Sequence, residues 1–326
     1  MFVLNCKIEI GNYTFYQVNE VKVVKSVDLL SDTAEISLPM TALFGNKQSG
    51  FERRQLEQEL KAGDPVKITL GYKDVFEQVE FQGFVRWIKP NVPTVTIECE
   101  DVIYKIRQKQ ITKNFGKTTL EEVLKFITAD TDLQLAGDIP EVNFDQFLLK
   151  NVNGAQALEK IKENYGLFVF VDDEGKLFAG LRQTKNIGDT VVYDIYKNVV
   201  EHDLKFRRAE DVRINLKMIG VRPDNTQIEV IVGDTTGEQR TVYKYNVTDK
   251  ATLEKLGEAE LSELKYDGYE GDVTGFLVPY ATRGMNATIM DKNYPERTGS
   301  YFVPKVTTTF GTGGARRKVE LATKVS

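Results

Sequence analysis

A strand pattern that occurs twice, with a helical block between the copies, constrains the fold of this chain most. In the first copy, strands are predicted at Val21–Val24 and Thr33–Leu38 and, after a polar stretch, at Gly63–Tyr72, Phe81–Ile88 and Thr94–Asp101. The second copy begins in His202–Val221 and continues through Arg283–Asp291, Gly299–Phe310 and Arg316–Thr323. Alternation of apolar and polar residues is typical of strands with one buried face. The pattern predicts a small β-domain in each half of the chain.

The middle of the chain changes to helical periodicity. Apolar residues recur at helical spacing from Leu120 to Ile127. Thr118 precedes them and Glu121 follows three positions later, which fits a capping box in which each side chain satisfies the other's free backbone N–H. A second helix is predicted at Ala155–Asn164. After it, two short apolar segments flank Asp173–Lys176, which is a hairpin signal, so the middle part predicts an α+β insert.

Each copy of the strand pattern also contains a segment with helical spacing. In the first copy it is Phe51–Leu60, where Leu56 and Leu60 lie on one face. In the second copy it is Lys250–Leu264, whose predicted buried side consists of Leu253, Leu256, Leu261 and Leu264. The matching positions of these two segments predict equivalent elements that contact adjacent subunits.

The sequence therefore predicts a mainly β fold with an α+β insert. The predicted parts are a first β-domain at 1–110, a middle α+β domain at 111–189 and a second β-domain at 190–326, with a helix near 250–264. A chain of 326 residues is long enough for two or three domains of roughly 100–150 residues each.

Composition and charge exclude several functions. The formal net charge of −5 is spread thinly and no basic stripe occurs, so nucleic-acid binding is not expected as the main activity. No apolar run approaches the roughly 20 residues that span a bilayer, so no membrane insertion is expected. Cys6 and Cys99 lie in strand-like segments, where small buried hydrophobic residues are common.

Residues that carry chemistry form no recognisable catalytic or metal-binding motif. His202 is the only histidine, and no Cys-x-x-Cys or His-Glu-x-x-His spacing accompanies it. Two acidic clusters, Glu98–Asp101 and Asp172–Glu174, leave an enzyme that pairs two carboxylates as an alternative. Alternation favours a solvated face for Glu98 and Glu100, and a hairpin turn accounts for the second cluster. We expect no catalytic residue, no cofactor and no metal.

Other residues fit contact surfaces better than active sites. By alternation, Trp87 and Val85 share one face of their strand. Core packing and a role as an interface anchor both stay open for Trp87. The segment Gly268–Gly284 is rich in glycine and aromatic residues and is expected to wrap around the second β-domain or a neighbouring subunit. Arg316 and Arg317 lie at the base of a predicted hairpin tip, where intersubunit salt bridges and simple solvation both stay open.

Three segments carry a resemblance to a known family. They are SVDLLSDTAEISLP with GDPVKITLGY and FQGFVRWIKPNVPTVTIECED, NGAQALEKIKENYGLFVFVDDEGKLFAGL, and MNATIMDKNYPERTGSYFVPKVTTTFGTGGARRKVELATKVS. In this order they resemble the first β-domain, the middle domain and the end of the second β-domain of phage tail baseplate hub proteins. That family includes the late control D proteins and the hub portion of type VI secretion spike proteins.

The resemblance implies two tube-protein-like β-barrel domains flanking the α+β domain, and a homotrimer with pseudo-six-fold symmetry. Such a hub joins the hexameric tail tube protein to a separate spike protein and forms part of the central channel. Tape-measure and other baseplate proteins are further implied partners, in the baseplate of a virion assembled in the host cytoplasm. A carbohydrate- or receptor-binding tail module is the alternative. The candidate interface residues are Phe51, Leu56, Leu60, Trp87, Leu253, Leu256, Arg316 and Arg317.

Overall fold

Strands dominate the structure and occur in all three predicted parts of the chain. The computed structural model describes residues 3–46, 50–131, 133–137, 139–144, 146–165, 167–180, 190–222, 226–245, 247 and 249–325. The first part contains β1 (Leu4–Ile10), β2 (Tyr13–Phe15), β3 (Glu20–Ser26), β4 (Thr33–Pro39), β5 (Thr41–Asn46), β6 (Gly50–Gln55), α1 (Leu56–Glu59), β7 (Pro65–Tyr72), β8 (Phe76–Asn91), β9 (Thr94–Glu100) and α2 (Ile103–Gln108).

The middle part combines short strands with two packed helices. It contains β10 (Gln110–Phe115), β11 (Thr118–Thr119), α3 (Leu120–Thr128), β12 (Leu135–Ala136), β13 (Asn143–Phe144), β14 (Phe147–Asn153), α4 (Gly154–Tyr165), β15 (Phe168–Val171) and β16 (Leu177–Gly180). Both predicted helices and the predicted hairpin β15–β16 are confirmed. The capping box lies one residue later than predicted, because Thr119 accepts the backbone N–H of Glu122 and the Glu122 side chain accepts that of Thr119.

The last part contains the remaining strands and the longest helix. These are β17 (Thr190–Asp194), β18 (Val199–His202), β19 (Lys205–Arg207), β20 (Ile214–Val221), β21 (Gln227–Gly233), β22 (Glu238–Tyr245), α5 (Lys250–Leu264), β23 (Gly268–Gly275), β24 (Asn286–Met290), β25 (Gly299–Phe302), β26 (Lys305–Gly311) and β27 (Gly314–Leu321). Residues 181–189, at the predicted end of the middle domain, lie outside the described residues.

One 12-stranded sheet joins the first and last parts of the chain. Its order is β18-β23-β27-β26-β3-β4-β9-β8-β7-β1-β2, and β19 also pairs with β23. The join is the antiparallel pairing of β3 with β26, in which Thr309 lies opposite Lys22. The mainly β fold class is confirmed, while its division into two flanking barrels stays a prediction.

The joined sheet buries one apolar core that crosses the β3–β26 contact. Phe310 and Leu277 of the last part pack with first-part residues such as Val21, Ile36 and Ile97. Each fully buried side chain of this size stabilises the fold by roughly 1.5–3 kcal/mol. The two β-rich parts are therefore held together by apolar packing as well as by backbone hydrogen bonds.

The segment Phe51–Leu60 is not the predicted helix. Phe51–Gln55 belongs to β6, which pairs with β5, and only Leu56–Glu59 forms a single helical turn. Pairing with β5 satisfies the backbone hydrogen bonds that a helix would otherwise supply. This segment and the 15-residue helix α5 are thus different kinds of element, although their order along the chain corresponds.

Two features of the last part also depart from prediction. The segment Gly268–Gly284 is predicted to wrap around the second β-domain or a neighbouring subunit. Its first half, Gly268–Gly275, is instead the regular strand β23, which pairs with β18, β19 and β27. Helix α5 packs on a separate three-stranded sheet, β21-β20-β22, in which β20 and β22 are parallel. Strands β21 and β22 were not predicted.

Candidate functional site at the junction of three parts

Charged side chains from all three parts of the chain meet at one buried place. Lys25 comes from β3, Asp32 from the β3–β4 turn, Asp101 from the end of β9, Asp173 from the β15–β16 turn and Arg283 from the segment before β24. These five residues are called the junction cluster below. Lys25, Asp32, Asp101 and Arg283 are all buried. Because unpaired buried charges are costly, the partners of each group determine how firmly the parts are joined.

Asp173 ties the middle part to both β-rich parts. Its Oδ1 lies 2.9 Å from Lys25 Nζ and 2.7 Å from Arg283 Nη1, and its Oδ2 accepts a 2.8 Å hydrogen bond from the Tyr280 hydroxyl. Burial alone would raise the pKa of Asp173, but Lys25 and Arg283 outweigh it and hold the pKa below its usual range. Asp173 is therefore a carboxylate that clamps the hairpin turn onto the sheet.

Arg283 bridges the first part and the middle part from its place in the last part. Its Nη2 lies 2.9 Å from Asp32 Oδ2 and also donates to the backbone carbonyl of Val171. The guanidinium lies 5.2 Å from the centre of the Phe170 ring. Charge-assisted and cation–π contacts of this kind are strongest where water is excluded.

Asp101 organises the turn that carries Asp32. Its Oδ2 accepts a 2.7 Å hydrogen bond from the Asp32 N–H, and its Oδ1 accepts one of 2.9 Å from the Ile103 N–H at the start of α2. Burial raises the pKa of Asp32 to about 6. Burial, with the nearby Asp32 charge, also raises the pKa of Asp101. The two carboxyl groups are thus far more easily protonated than exposed aspartates.

A cleft of about 750 Å³ opens above the junction cluster. Its walls come from β7, β8 and the β15–β16 turn, and its lining includes Lys25, Asp32, Glu80 and Asp101. Among the described residues no group of three or more His, Cys, Asp or Glu side chains is arranged to hold a metal ion. Lys25 and Asp173, which both line the cleft, instead pair with each other.

A second buried ion pair lies between the first and last parts. Arg317 on β27 donates to both carboxylate oxygens of Glu80 on β8, at 2.6 and 3.1 Å, and both side chains are 1% exposed. Arg317 also donates to the Thr308 hydroxyl and the Ala281 carbonyl. From the sequence, intersubunit pairing and solvation are both open for Arg317. Both interpretations are wrong, because Arg317 is buried and pairs with Glu80 of the same chain.

Trp87 lies on the outer face of the sheet and not in the core. Val85 pairs with Cys99 and Trp87 with Glu98, so two steps along β8 match one step along β9. This bulge at Arg86 reverses the alternation, which leaves Val85 buried and Trp87 57% exposed. The core-packing interpretation of Trp87 is wrong, and its role as an interface anchor stays a prediction.

The other candidate interface residues divide by burial. Leu56, Leu60 and Leu253 are buried in the chain's own cores, so they stabilise this chain and offer no surface to a partner. Leu256, predicted on the buried side of α5, is 38% exposed instead. Arg316 is half-buried, and its guanidinium lies 5.3 Å from the Phe276 ring. Phe51 lies in strand β6, in the hairpin with β5.

The acidic clusters have structural partners. Glu100 was expected on a solvated face but is fully buried, because Arg107 donates to it from α2 and the Ser31 hydroxyl adds a 3.1 Å hydrogen bond. Asp172 accepts the backbone N–H groups of Glu174 and Lys176 within its own turn. Sequence reasoning found Asp173 as a turn residue but missed its partners Lys25 and Arg283. Arg283, the one basic residue in a segment rich in glycine and aromatic residues, was the available signal.

The fold of this chain resembles that of solved phage tail proteins and of a type VI secretion component. The 43 kDa tail protein of prophage MuSo2 from Shewanella oneidensis superposes with a TM-score of 0.65, 14% identity and 98% of each chain covered. The tail protein from Neisseria meningitidis MC58 gives a TM-score of 0.64 and 12% identity, with 99% of this chain and 97% of that chain covered.

A third similar structure comes from a secretion system. The E. coli c3393 protein, a type VI secretion component with structural similarity to the T4 tail proteins gp27 and gp5, gives a TM-score of 0.57 and 6% identity over 97% of this chain and 76% of that chain. At these identities the likeness is one of fold, and at that level the resemblance seen in the sequence is confirmed. No protein-family model and no curated protein sequence matches the chain. In the described part of the chain, no helix is long and apolar enough to cross a membrane.

Proposed function

We propose that this chain is the structural hub of the tail baseplate of a phage or a phage-like contractile injection device. Three copies would surround a central channel and join a hexameric tail tube to a trimeric spike. The observation that carries the proposal is the fold. The match to two solved tail proteins covers 98–99% of this chain and 97–98% of theirs. The same fold in a type VI secretion component supports a role common to phage tails and injection devices.

The joined sheet supports the proposed symmetry. Two β-rich parts per chain in a three-fold assembly give six similar units, which suits a six-fold tube on one side and a three-fold spike on the other. The β3–β26 pairing and the Glu80–Arg317 ion pair fix the two parts to each other. A rigid chain of this kind would hold its contacts with the six-fold tube and with the three-fold spike in one fixed arrangement.

The outer face of the joined sheet supports a channel lining. A row of facing residues crosses four strands, with neighbours in register at Glu98, Glu35, Lys22 and Thr309. Acidic, basic and hydroxyl-bearing side chains share this face, and none of them is fully buried. Such a surface gives a passing genome or effector no strong site to bind, in keeping with transport without specific nucleic-acid recognition.

Exposed residues among the candidates mark the proposed contacts with other subunits. Trp87 and Leu256 are apolar and exposed, and Arg316 is half-buried. We assign these three, with Phe51, to contacts with a second copy, the tube protein, the separate spike or other baseplate proteins such as the tape measure. The location that follows is the tail baseplate, assembled in the host cytoplasm.

The proposed role is structural and not catalytic. Carboxylates of both acidic clusters are engaged in ion pairs, since Glu100 pairs with Arg107 and Asp173 with Lys25 and Arg283. Exposed Trp87 favours one other candidate function, glycan binding by a receptor-binding tail module, because sugars stack on indole rings.

Negative-stain electron microscopy of the purified chain, alone and with a candidate spike protein, tests the proposal. We expect three-fold rings with a central hole, and native mass spectrometry should give the mass of three copies. Single copies in both conditions, together with glycan binding that is lost in Trp87→Ala, would replace the hub with the receptor-binding module.

A further inference from the structure

The junction cluster contains one more acid than base. Asp32, Asp101 and Asp173 provide three carboxyl groups, whereas Lys25 and Arg283 provide two cations. Four of the five residues are buried, so the surrounding water screens an excess negative charge only weakly. A buried carboxyl group in this situation takes up a proton more readily than an exposed one.

The hydrogen bonds show which carboxyl groups accept that proton. Both oxygens of Asp173 accept from cationic or hydroxyl donors, which hold it ionised. Asp32 is 8% exposed and receives Arg283 on Oδ2, while its Oδ1 has no hydrogen-bond partner among the described residues. A proton on Asp32 Oδ1 would remove the excess charge without breaking any contact of the cluster.

We propose that the carboxyl group of Asp32, next to that of Asp101, is a proton-binding switch, and that loss of its proton loosens the β15–β16 hairpin from the joined sheet. The inference concerns a single copy of the chain and does not depend on the proposed assembly. It is a property of the place where the three parts of the chain meet.

Charged groups on the surrounding elements set the proton affinity of Asp32. Lys25 of β3 and Arg283 of the last part favour the charged form of Asp32, while Asp173 of the hairpin turn opposes it. The neighbouring Glu100 of β9 opposes ionisation of Asp101.

Loss of the proton changes the balance around Arg283 and Lys25. A charged Asp32 attracts both cations and repels Asp173, which depends on the same two cations for its hold on the sheet. The contact that weakens is therefore the one between the hairpin turn and Arg283, at Asp173 and at the Val171 carbonyl.

The pH dependence of unfolding tests the switch. A carboxyl whose pKa is raised on folding stabilises the folded state in acid, and this contribution is lost as the pH rises through its folded-state pKa. For Asp32, with a pKa of about 6, the unfolding equilibrium constant should rise about tenfold between about pH 5 and about pH 8. Asp32→Asn keeps the acceptor for Arg283 without the charge and should remove this rise.

Asp173→Asn is the matched control. Because the pKa of Asp173 is lowered, this residue is ionised across the whole interval, so its replacement should weaken the fold at both pH values and keep the pH-dependent rise. Hydrogen exchange of the full chain gives the structural readout. After correction for intrinsic rates, the amides of β15 and β16 should exchange faster at the higher pH in the wild type but not in Asp32→Asn.

The outcomes decide the proposal. Loss of the pH-dependent rise in Asp32→Asn supports Asp32 as the switch, and its retention in that variant overturns the proposal. Equal exchange of the hairpin at the two pH values overturns the loosening. Should Asp32→Asn not fold, infrared spectroscopy of the wild type still decides, since the band of a buried protonated carboxyl must vanish as the pH rises.

Discussion

Glu80 and Arg317 are 237 positions apart in the sequence, and their side chains form a buried ion pair with a 2.6 Å contact. Glu80 lies on β8 and Arg317 on β27, so the pair connects strands from the two ends of the chain. Buried ion pairs often add little net stability, but removing one partner leaves an uncompensated charge. The pair therefore holds the two β-rich parts in one arrangement.

Loss of one member of this pair should be strongly destabilising. We expect Glu80→Gln to lower the free energy of unfolding by about 3–5 kcal/mol, because Arg317 would remain charged and buried. Urea denaturation of the full chain measures the change. The double variant Glu80→Met with Arg317→Met should recover most of the loss, and Arg316→Met, one position away and half-exposed, is the control. Equal effects of Arg316→Met and Glu80→Gln would contradict this account.

Gly271 allows strand β23 to pass close to the backbone at Asp203. Its φ of +115° is unfavourable for other residues, and a Cβ there would lie 2.0 Å from the Asp203 carbonyl oxygen. We expect Gly271→Ala to lower the thermal midpoint substantially, since either β23 or the backbone near Asp203 must move. Gly313→Ala is the control, because a Cβ at Gly313 would meet no atom within 4 Å. Similar midpoints for the two variants would show that the close approach is not needed.

Leu253 and Leu256 separate core packing from surface contact on one helix. Leu253 is fully buried against the β21-β20-β22 sheet, so Leu253→Ala should cost about 2–5 kcal/mol of unfolding free energy. Leu256 is 38% exposed, and Leu256→Ala should change the stability of a single copy by less than about 0.5 kcal/mol. Sedimentation analysis of the same variants measures assembly. If Leu256→Ala leaves the association constant of the copies unchanged, Leu256 is not at their interface.

Trp87 should act on assembly and not on folding. Its side chain is 57% exposed, so Trp87→Ala should leave the unfolding free energy almost unchanged. As an interface anchor it should weaken association with a second copy, the tube protein or the spike by about 2 kcal/mol or more, which is roughly thirtyfold in the dissociation constant. Light-scattering titrations measure this change, with Lys89→Ala on the same strand as control. Unchanged association with all three partners would remove Trp87 from the interface.

The sequence predicted the parts of the fold that depend on local periodicity. Strands such as β3, β4 and β9, and helices α3, α4 and α5, follow from alternation or helical spacing alone. One departure occurs where strand pairing overrides a local helical signal. Leu56 and Leu60 have helical spacing and are both buried, yet the preceding residues form a strand because β5 is available as a partner.

The junction cluster could not be predicted in the same way. Lys25 and Asp173 are 148 positions apart, and nothing in the sequence around either residue indicates the other. Trp87 shows a different limit, since one bulge at Arg86 exchanges the two faces of β8 from that point on. Long-range charge pairing and bulges are properties of the assembled sheet, whereas local patterns report only on its strands.

Imaging of the assembled chain tests the proposed three-fold hub most directly. Electron microscopy of the full chain, mixed with its tube and spike partners, should show rings of three copies with six similar lobes around an open channel. The β-rich parts should occupy the six lobes, and Trp87 should lie at a contact between subunits or with a partner. Single copies that never form rings in the presence of both partners would contradict the proposed hub.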